Sequence, residues 1–117
     1  ATKETGEQSQ ESENLMISRL KNMQPFGPLT SFYEAITDDA RINTTHISLY
    51  IALLQQWNLV QEINPITITR NNIMKMAKIS ARHTYNKCIN ELQEYGYIKY
   101  VPSSNANSSS SVYLNPL

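Results

Sequence analysis

The pattern of apolar and polar positions separates a polar start from a series of periodic segments. Residues 1–14 are polar and acidic, and Ala1 is their only apolar residue. A segment of this kind cannot bury enough surface to offset the entropy of ordering. We therefore predict that residues 1–14 form a disordered acidic tail.

Residues 15–41 are predicted to form an N-terminal helical arm. Two segments, 15–23 and 29–40, carry apolar residues at helical spacing, and Pro25 and Pro28 force a turn between them. The apolar side of the second segment consists of Leu29, Phe32, Tyr33 and Ile36. Two interpretations stay open for this arm: it dimerises with a second copy, or it packs on its own domain.

Residues 42–61 show the strongest long periodicity and predict a buried scaffold helix. Its apolar stripe consists of Ile47, Tyr50, Ile51, Leu54 and Trp57, widened by Leu49, Leu53 and Val60. Thr44 or Thr45 can cap the start, because a hydroxyl at that position accepts a hydrogen bond from a free backbone N–H. Asn64 and Pro65 then close the following loop.

The next segments predict a short strand followed by a short helix. Residues 65–68 are rich in β-branched side chains, which favours a strand. Thr69 can cap a helix over residues 70–78, whose buried side consists of Ile73, Met74, Met76 and Ala77. Only two or three residues separate this helix from the next predicted one. A link of that length is typical of a helix-turn-helix.

Residues 79–96 predict one amphipathic helix with a polar, partly basic face. The apolar residues fall at i, i+3, i+4 and i+7, and they are Tyr85, Cys88, Ile89 and Leu92. Ser80 can cap the start, and Gly96 can adopt the left-handed conformation that ends a helix. The residues left facing outward are Arg82, His83, Asn86, Lys87 and Asn90. An ordinary surface helix with a solvated face would show the same pattern.

The remaining residues predict a β-hairpin. Residues 97–101 and 111–115 read as two strands, and the small polar sequence SSNANSSS lies between them. The chain thus runs helix, strand, helix, turn, helix, strand, polar loop, strand. This order predicts an α+β, mainly α fold over residues 42–117, a winged helix-turn-helix with a C-terminal β-hairpin wing.

Charge is distributed unevenly along the chain. The formal net charge is zero, which disfavours a protein that coats nucleic acid indiscriminately. Residues 1–62 hold four basic and eight acidic groups, whereas residues 70–100 hold six basic and two acidic groups. The asymmetry indicates that the second half alone meets an anion.

An enzyme, a metal and an organic cofactor are not expected. The two histidines, His46 and His83, fall on different predicted helices, Cys88 is the only cysteine, and there is no glycine-rich phosphate loop. We interpret Cys88 as a small core residue. No run approaches the roughly 20 apolar residues of a membrane helix, and no signal peptide is visible. A cytoplasmic protein that does not bind membranes is the expectation.

The run from Thr84 to Ile98, TYNKCINELQEYGYI, carries a threonine near its start, four apolar positions and a glycine before the first wing strand. It resembles the recognition helix of GntR-type and related winged-helix DNA-binding proteins. Residues 42–115 are also similar to the winged-helix domains of phage replisome organisers and of small accessory proteins on mobile elements of the Bacteroidetes. The resemblance implies sequence-specific binding of double-stranded DNA, by a transcriptional regulator or by an accessory factor of mobile-element recombination or excision.

Other uses of the fold stay open at this point. They are replication-initiator-type DNA binding and a winged-helix protein-interaction module, because the fold alone does not select a function. A homodimer or another DNA-bound protein is the expected partner besides DNA.

The predicted contact residues fall into two groups. The candidates for reading base edges in the major groove are Arg82, His83, Asn86, Lys87 and Asn90. Arg82 can form paired hydrogen bonds with guanine, and Asn86 and Asn90 with adenine. Lys87 can reach guanine or phosphate, and His83 a base or the backbone. Contacts to the DNA backbone fix position without reading sequence, and the candidates are Arg70, Lys75, Lys78, Thr84, Lys99, Ser103 and Ser104.

Overall fold

The computed structural model describes residues 27–103 and 109–117, so the predicted acidic tail and the predicted helix at 15–23 lie outside the described residues. The fold is α+β and mainly helical. Its elements in chain order are α1 (Gly27–Ile36), α2 (Thr44–Leu59), β1 (Ile66–Ile68), α3 (Arg70–Ala77), α4 (Arg82–Glu94), β2 (Ile98–Val101) and β3 (Ser110–Leu114). Among the described residues, no helix combines the length and the apolar character needed to cross a membrane.

Helix α2 begins at a capping box formed by Asn43 and His46. The Asn43 side-chain oxygen accepts the backbone N–H groups of Thr45 and His46, at 3.0 and 3.1 Å. In return, the Asn43 backbone N–H donates to His46 Nδ1 at 3.0 Å. The prediction that Thr44 or Thr45 caps this helix is therefore wrong. Asn43 is the cap instead, because its bonds with His46 and Thr45 satisfy three backbone N–H groups at the helix start.

The buried face of α2 is rotated from the predicted stripe. Its buried residues are His46, Leu49, Tyr50, Ala52 and Leu53, whereas Ile51 and Val60 are exposed. Ile47, Leu54 and Trp57 are partly buried against the core. Apolar residues surround most of α2, so its periodicity does not select one face. The helices and the sheet that pack around α2 make that selection.

Helix α1 packs on the same core as α2. Phe32 is fully buried, and its ring stacks on that of Tyr50 with centroids 3.9 Å apart and planes 10° apart. The ring of Tyr97 meets Phe32 edge-on at 5.7 Å. Of the two interpretations for the arm, the described part shows packing on its own domain. The domain boundary at residue 42 and the dimerisation of the arm stay predictions.

Helices α3 and α4 are joined by four residues, 78–81, rather than by the two or three expected. Lys78 adopts the left-handed conformation with φ 60°. The backbone N–H groups of Lys78 and Ile79 donate to the carbonyls of Lys75 and Met74, which closes α3 in a Schellman pattern. The Ser48 hydroxyl of α2 also donates to the Ala77 carbonyl and ties the end of α3 to the scaffold.

A three-stranded antiparallel sheet of order β1-β3-β2 completes the fold. Val112 in the central strand pairs with Ile66 on one side and with Tyr100 on the other. The inward face of the sheet contributes Ile66, Ile68, Ile98, Val112 and Leu114 to the core. The predicted strands at 65–68, 97–101 and 111–115 are confirmed within one residue at each end.

Candidate nucleic-acid interface

Helix α4 separates an apolar face from a polar one. The predicted stripe is confirmed, since Tyr85, Cys88, Ile89 and Leu92 are all buried. Burial raises the pKa of the Tyr85 hydroxyl and of the Cys88 thiol, which keeps both groups neutral. On the other side, the exposed residues are Arg82, His83, Asn86, Lys87 and Asn90. These positions recur at intervals of three and four and therefore share one helix face.

The two ends of α4 are built differently. The helix begins at Arg82 after Ala81, and no side chain makes a capping hydrogen bond there. The prediction that Ser80 caps α4 is therefore wrong, because the helix starts too late for Ser80 to reach the cap position. At the other end Gly96 has φ 90°, as predicted, and the Tyr97 N–H donates to the Leu92 carbonyl at 2.9 Å. This second Schellman pattern turns the chain into β2.

Most of the side chains on the exposed face are not hydrogen-bonded to one another or to the rest of the described residues. Among residues 27–103 and 109–117, the side chains of Arg82, Asn86 and Lys87 make no hydrogen bond and no ion pair. Asn90 is different, because its Nδ2 donates to the Asn86 carbonyl at 2.7 Å. Asn90 keeps its side-chain oxygen and a second N–H for other contacts.

The cationic candidates for phosphate contact have no counter-ion within the described residues. Within the described residues, carboxylates lie next to basic side chains in two pairs, Arg41 with Asp39 and His46 with Glu91. Neither pair involves the candidate basic residues, which are Arg70, Lys75, Lys78 and Lys99. Lys75, Lys78 and Lys99 are exposed.

Arg70, at the start of α3, is half-buried, and its Nε is buried without a hydrogen-bond partner. A buried guanidinium N–H is costly to leave unpaired. In the sheet, the Lys99 Nζ lies 5.5 Å from the centre of the Tyr113 ring. The aromatic face holds this cation on the outer side of the sheet.

The remaining candidates have smaller polar side chains. Thr84 is half-buried, and its Oγ1 lies 3.5 Å from His83 Nε2. Ser103 is half-buried, and its backbone N–H donates to Ser110 Oγ at 3.2 Å. Ser104 lies outside the described residues.

A hydrogen-bonded chain anchors the second half of α4 to α2. Because His46 Nδ1 accepts the Asn43 N–H, its Nε2 carries the proton and donates to Glu91 Oε1 at 3.2 Å. The other oxygen of Glu91 accepts the Tyr95 hydroxyl at 2.9 Å. The hydrogen bonds from Tyr95 and His46 lower the pKa of Glu91, so its carboxylate stays charged.

A second network anchors the turn that follows α4. Arg41 Nε and Nη2 donate to the two oxygens of Asp39 at 2.8 and 2.9 Å, and the Tyr97 hydroxyl donates to the same carboxylate at 2.7 Å. These hydrogen bonds hold the pKa of Asp39 well below its usual range. The Arg41 guanidinium also lies 4.2 Å above the centre of the Tyr95 ring.

His46, Cys88 and Glu91 place three metal-ligating atoms within 4.8 Å of one another. The imidazole does not fit a metal site. A metal on Nε2 would place the imidazole proton on Nδ1, the atom that accepts the Asn43 N–H. Two N–H groups would then face each other in a buried position. The three side chains therefore favour the hydrogen-bonded network over metal binding.

Sequence reasoning missed the residues that position α4 and the sheet. Gln93 Oε1 accepts the Tyr100 N–H at 2.7 Å and joins β2 to α4. Glu91 and Tyr95 stand four residues apart, which is a readable helical spacing. His46 and Glu91 are 45 residues apart, so no local pattern indicated their contact.

Comparison of the chain with protein-family models, curated proteins and solved structures finds no match.

Proposed function

We propose that this chain is a winged-helix protein that binds double-stranded DNA through the exposed face of α4. The observation that carries the proposal is the division of that helix. Tyr85, Ile89 and Leu92 hold it on the core, while Arg82, Asn86 and Lys87 are exposed and make no hydrogen bond or ion pair within the described residues.

The topology supports the proposal. A scaffold helix, a short strand, two helices joined by four residues and an antiparallel hairpin follow one another, and the first strand completes the sheet. This is the element order of a winged helix-turn-helix, with α4 as the reading helix and β2 with β3 as the wing. An α-helix fits the major groove of B-DNA.

The exposed side chains match the chemistry of base edges. Arg82 can donate two hydrogen bonds to guanine, and Asn86 can pair with adenine as donor and acceptor. Asn90 can do the same after it releases the Asn86 carbonyl. Lys87 can reach guanine or phosphate, and His83 can meet a base or the backbone.

The phosphate contacts are assigned to residues around this face. The cationic candidates are Arg70, Lys75, Lys78 and Lys99, and the polar candidates are Thr84, Ser103 and Ser104. The start of α4, which no side chain caps, offers backbone N–H donors to an anion.

A transcriptional regulator or an accessory factor of mobile-element recombination or excision fits these properties, and replication-initiator-type binding is the alternative. One module of this size contacts few base pairs. Useful specificity therefore requires a second copy on a repeated site or another DNA-bound protein.

A selected-site binding assay tests the proposal. Arg82→Ala and Asn86→Ala are each expected to weaken binding to the enriched site by about 1–3 kcal/mol and to relax the preference at one base pair. Fluorescence anisotropy with the enriched duplex and with single-base variants of it measures both effects.

Lys75→Ala is the matched control for this assay. As a phosphate contact it is expected to weaken all duplexes alike and to lower the salt slope by about one unit. If the Arg82 and Asn86 variants bind the enriched site as tightly as the parent chain, α4 is not the reader.

A protein-interaction module is the second candidate function, and one observation favours it. An open groove of about 640 Å³ lies along α2, between α1 and α3, and its lining residues include Tyr33, Ile47, Ile51 and Met76. Tyr33 and Ile51 are exposed apolar side chains. Apolar contacts of this kind depend little on salt, whereas DNA binding weakens steeply as salt rises. The salt dependence of partner binding therefore separates the two functions.

A further inference from the structure

The open groove along α2 is uncharged and partly apolar. Its lining residues on α2 extend from Thr44 to Gln55, and Tyr33 of α1 and Met76 of α3 lie on its two sides. None of the side chains that line it is charged. Tyr33 and Ile51 are exposed there, although both are large and apolar. An apolar surface left open in this way is typical of a binding site for another segment.

Helix α1 runs antiparallel to α2. Its first turn lies near the end of α2, because Pro28 and Trp57 line the same cavity. Farther along α1, Tyr33 lies beside the start of α2, because it lines the groove together with Thr44. The chain therefore enters α1 at the end of the groove that is nearest to the end of α2.

The segment 15–23, which precedes α1, has an apolar stripe of matching length. On a helix, four of its apolar residues fall on one side, and they are Met16, Ile17, Leu20 and Met23. Ser18 and Asn22 fall on the opposite side. A helix of nine residues is about 14 Å long, and the part of α2 that lines the groove is about 18 Å long. The segment therefore fits within the groove.

The connection to α1 makes the segment turn back. Residues 24–26 separate it from α1, and Pro25 is the middle one of the three. Proline interrupts a helix and disfavours the helical conformation of the residue before it, so the segment cannot extend α1 as one continuous helix. A link of this length is typical of two antiparallel helices that pack side by side.

The two sides of α1 differ in the space that they offer. Ser31 and Tyr33 point in directions about 200° apart on α1, so the groove and the cavity lined by Ser31 lie on different sides of it. That cavity has a volume of about 320 Å³, half that of the groove, and residues 114–117 form part of its wall. The groove is therefore the better place for a helix.

We propose that residues 15–23 dock in this groove within the same chain, as a short helix antiparallel to α1 and parallel to α2. Burial of the apolar stripe against Tyr33, Ile51 and Met76 supplies the driving force. The three-residue link gives the segment a high effective concentration at its own groove, which favours it over a second copy. Docked there, the segment contacts three helices and covers the surface that favours a protein-interaction module. The proposal does not depend on DNA binding.

A spin label on the polar side of the segment tests the docking in the full chain. Ser18→Cys carries a nitroxide, and the backbone signals of a ¹H–¹⁵N spectrum report the broadening that it causes. The signals of Ile51 and Met76 are expected to lose most of their intensity, whereas that of Leu117, on the other side of α1, loses much less. Cys88 is buried, so the parent chain treated with the same reagent is expected to stay unmodified.

A mixture of two samples distinguishes the chain's own segment from that of a second copy. Spin-labelled chain without ¹⁵N is mixed with ¹⁵N chain that carries no spin label, so any broadening comes from another molecule. The signals of Ile51 and Met76 are expected to keep their intensity in this mixture. If the same signals broaden in the mixture, a second copy occupies the groove and the proposal is overturned.

A pair of charge substitutions tests the apolar stripe without changing the described domain. Leu20→Asp places a charge on the stripe and is expected to remove the difference in broadening between Ile51 and Leu117. Asn22→Asp adds the same charge on the polar side and is the matched control, which is expected to keep the difference. Equal broadening of Ile51 and Leu117 before either substitution, or the same result for both substitutions, overturns the proposal.

Discussion

The two halves of α4 differ in what their polar side chains contact. In the first half, Arg82, Asn86 and Lys87 make no hydrogen bond or ion pair among the described residues. In the second half, Glu91 bonds to His46 and Tyr95. Gln93 bonds to the backbone of β2. The same helix therefore has one half that is free for intermolecular contact and one half that is anchored to the domain.

The difference teaches how a small domain can present a rigid surface. Side chains that meet a ligand work best when the element that carries them is held by other residues. Here the apolar stripe holds the whole length of α4, and the polar anchors concentrate at the end that faces the sheet. The free half then needs no internal polar contact to keep its orientation.

Among the substitutions that test this comparison, Leu92→Ala is expected to change the unfolding free energy most. Leu92 is fully buried in the anchored half, so its truncation is expected to cost about 2–5 kcal/mol of unfolding free energy. Asn86→Ala in the free half is the control and is expected to change stability by less than about 0.5 kcal/mol. Urea unfolding followed by circular dichroism measures both. Similar losses in the two variants would remove the distinction between the halves.

A turn with a residue in the left-handed conformation lies on each side of α4. Substitutions in these two turns are expected to change the stability of the domain less than Leu92→Ala does, and in opposite directions. Gly96→Ala places a Cβ at φ 90° and is expected to destabilise the domain by about 1 kcal/mol, although the Cβ itself meets no atom within 4 Å. Lys78→Gly relieves a left-handed lysine and is expected to stabilise the domain by about 0.5 kcal/mol. Thermal unfolding of both variants checks the signs. A stabilised Gly96→Ala variant would contradict the role of the turn.

The smallest expected effect is a pH dependence of stability that arises from the Asp39 network beside the anchored half of α4. Hydrogen bonds from Arg41 and Tyr97 lower the pKa of Asp39, so its contribution to stability is present above the unfolded pKa, about 3.9 for Asp, and is lost as the pH falls. Asp39→Asn is expected to flatten the loss of stability in the acid range. Asp38→Asn is the control, because Arg41 and Tyr97 bond to Asp39. Equal acid profiles for the two variants would exclude the Asp39 network as an anchor.

The sequence by itself determined the elements whose signals are local. The stripe of α4 repeats every three to four residues, so the spacing of Tyr85, Cys88, Ile89 and Leu92 was enough to assign them to the core. Gly96 could be assigned to a left-handed turn because it lacks a Cβ. The strands could be found from their β-branched and alternating residues. The exposed polar face of α4 followed from the same periodicity.

Tertiary structure alone decided the contacts between distant segments and the choices between equivalent local options. Helix α2 is apolar on most sides, so its buried face depended on what packs against it. Adjacent polar residues compete for its cap, and the reciprocal bond with His46 selected Asn43. The bond from His46 to Glu91 spans 45 residues, and that from Asn64 to Leu114 spans 50. Such contacts depend on how whole elements pack, which no local periodicity encodes.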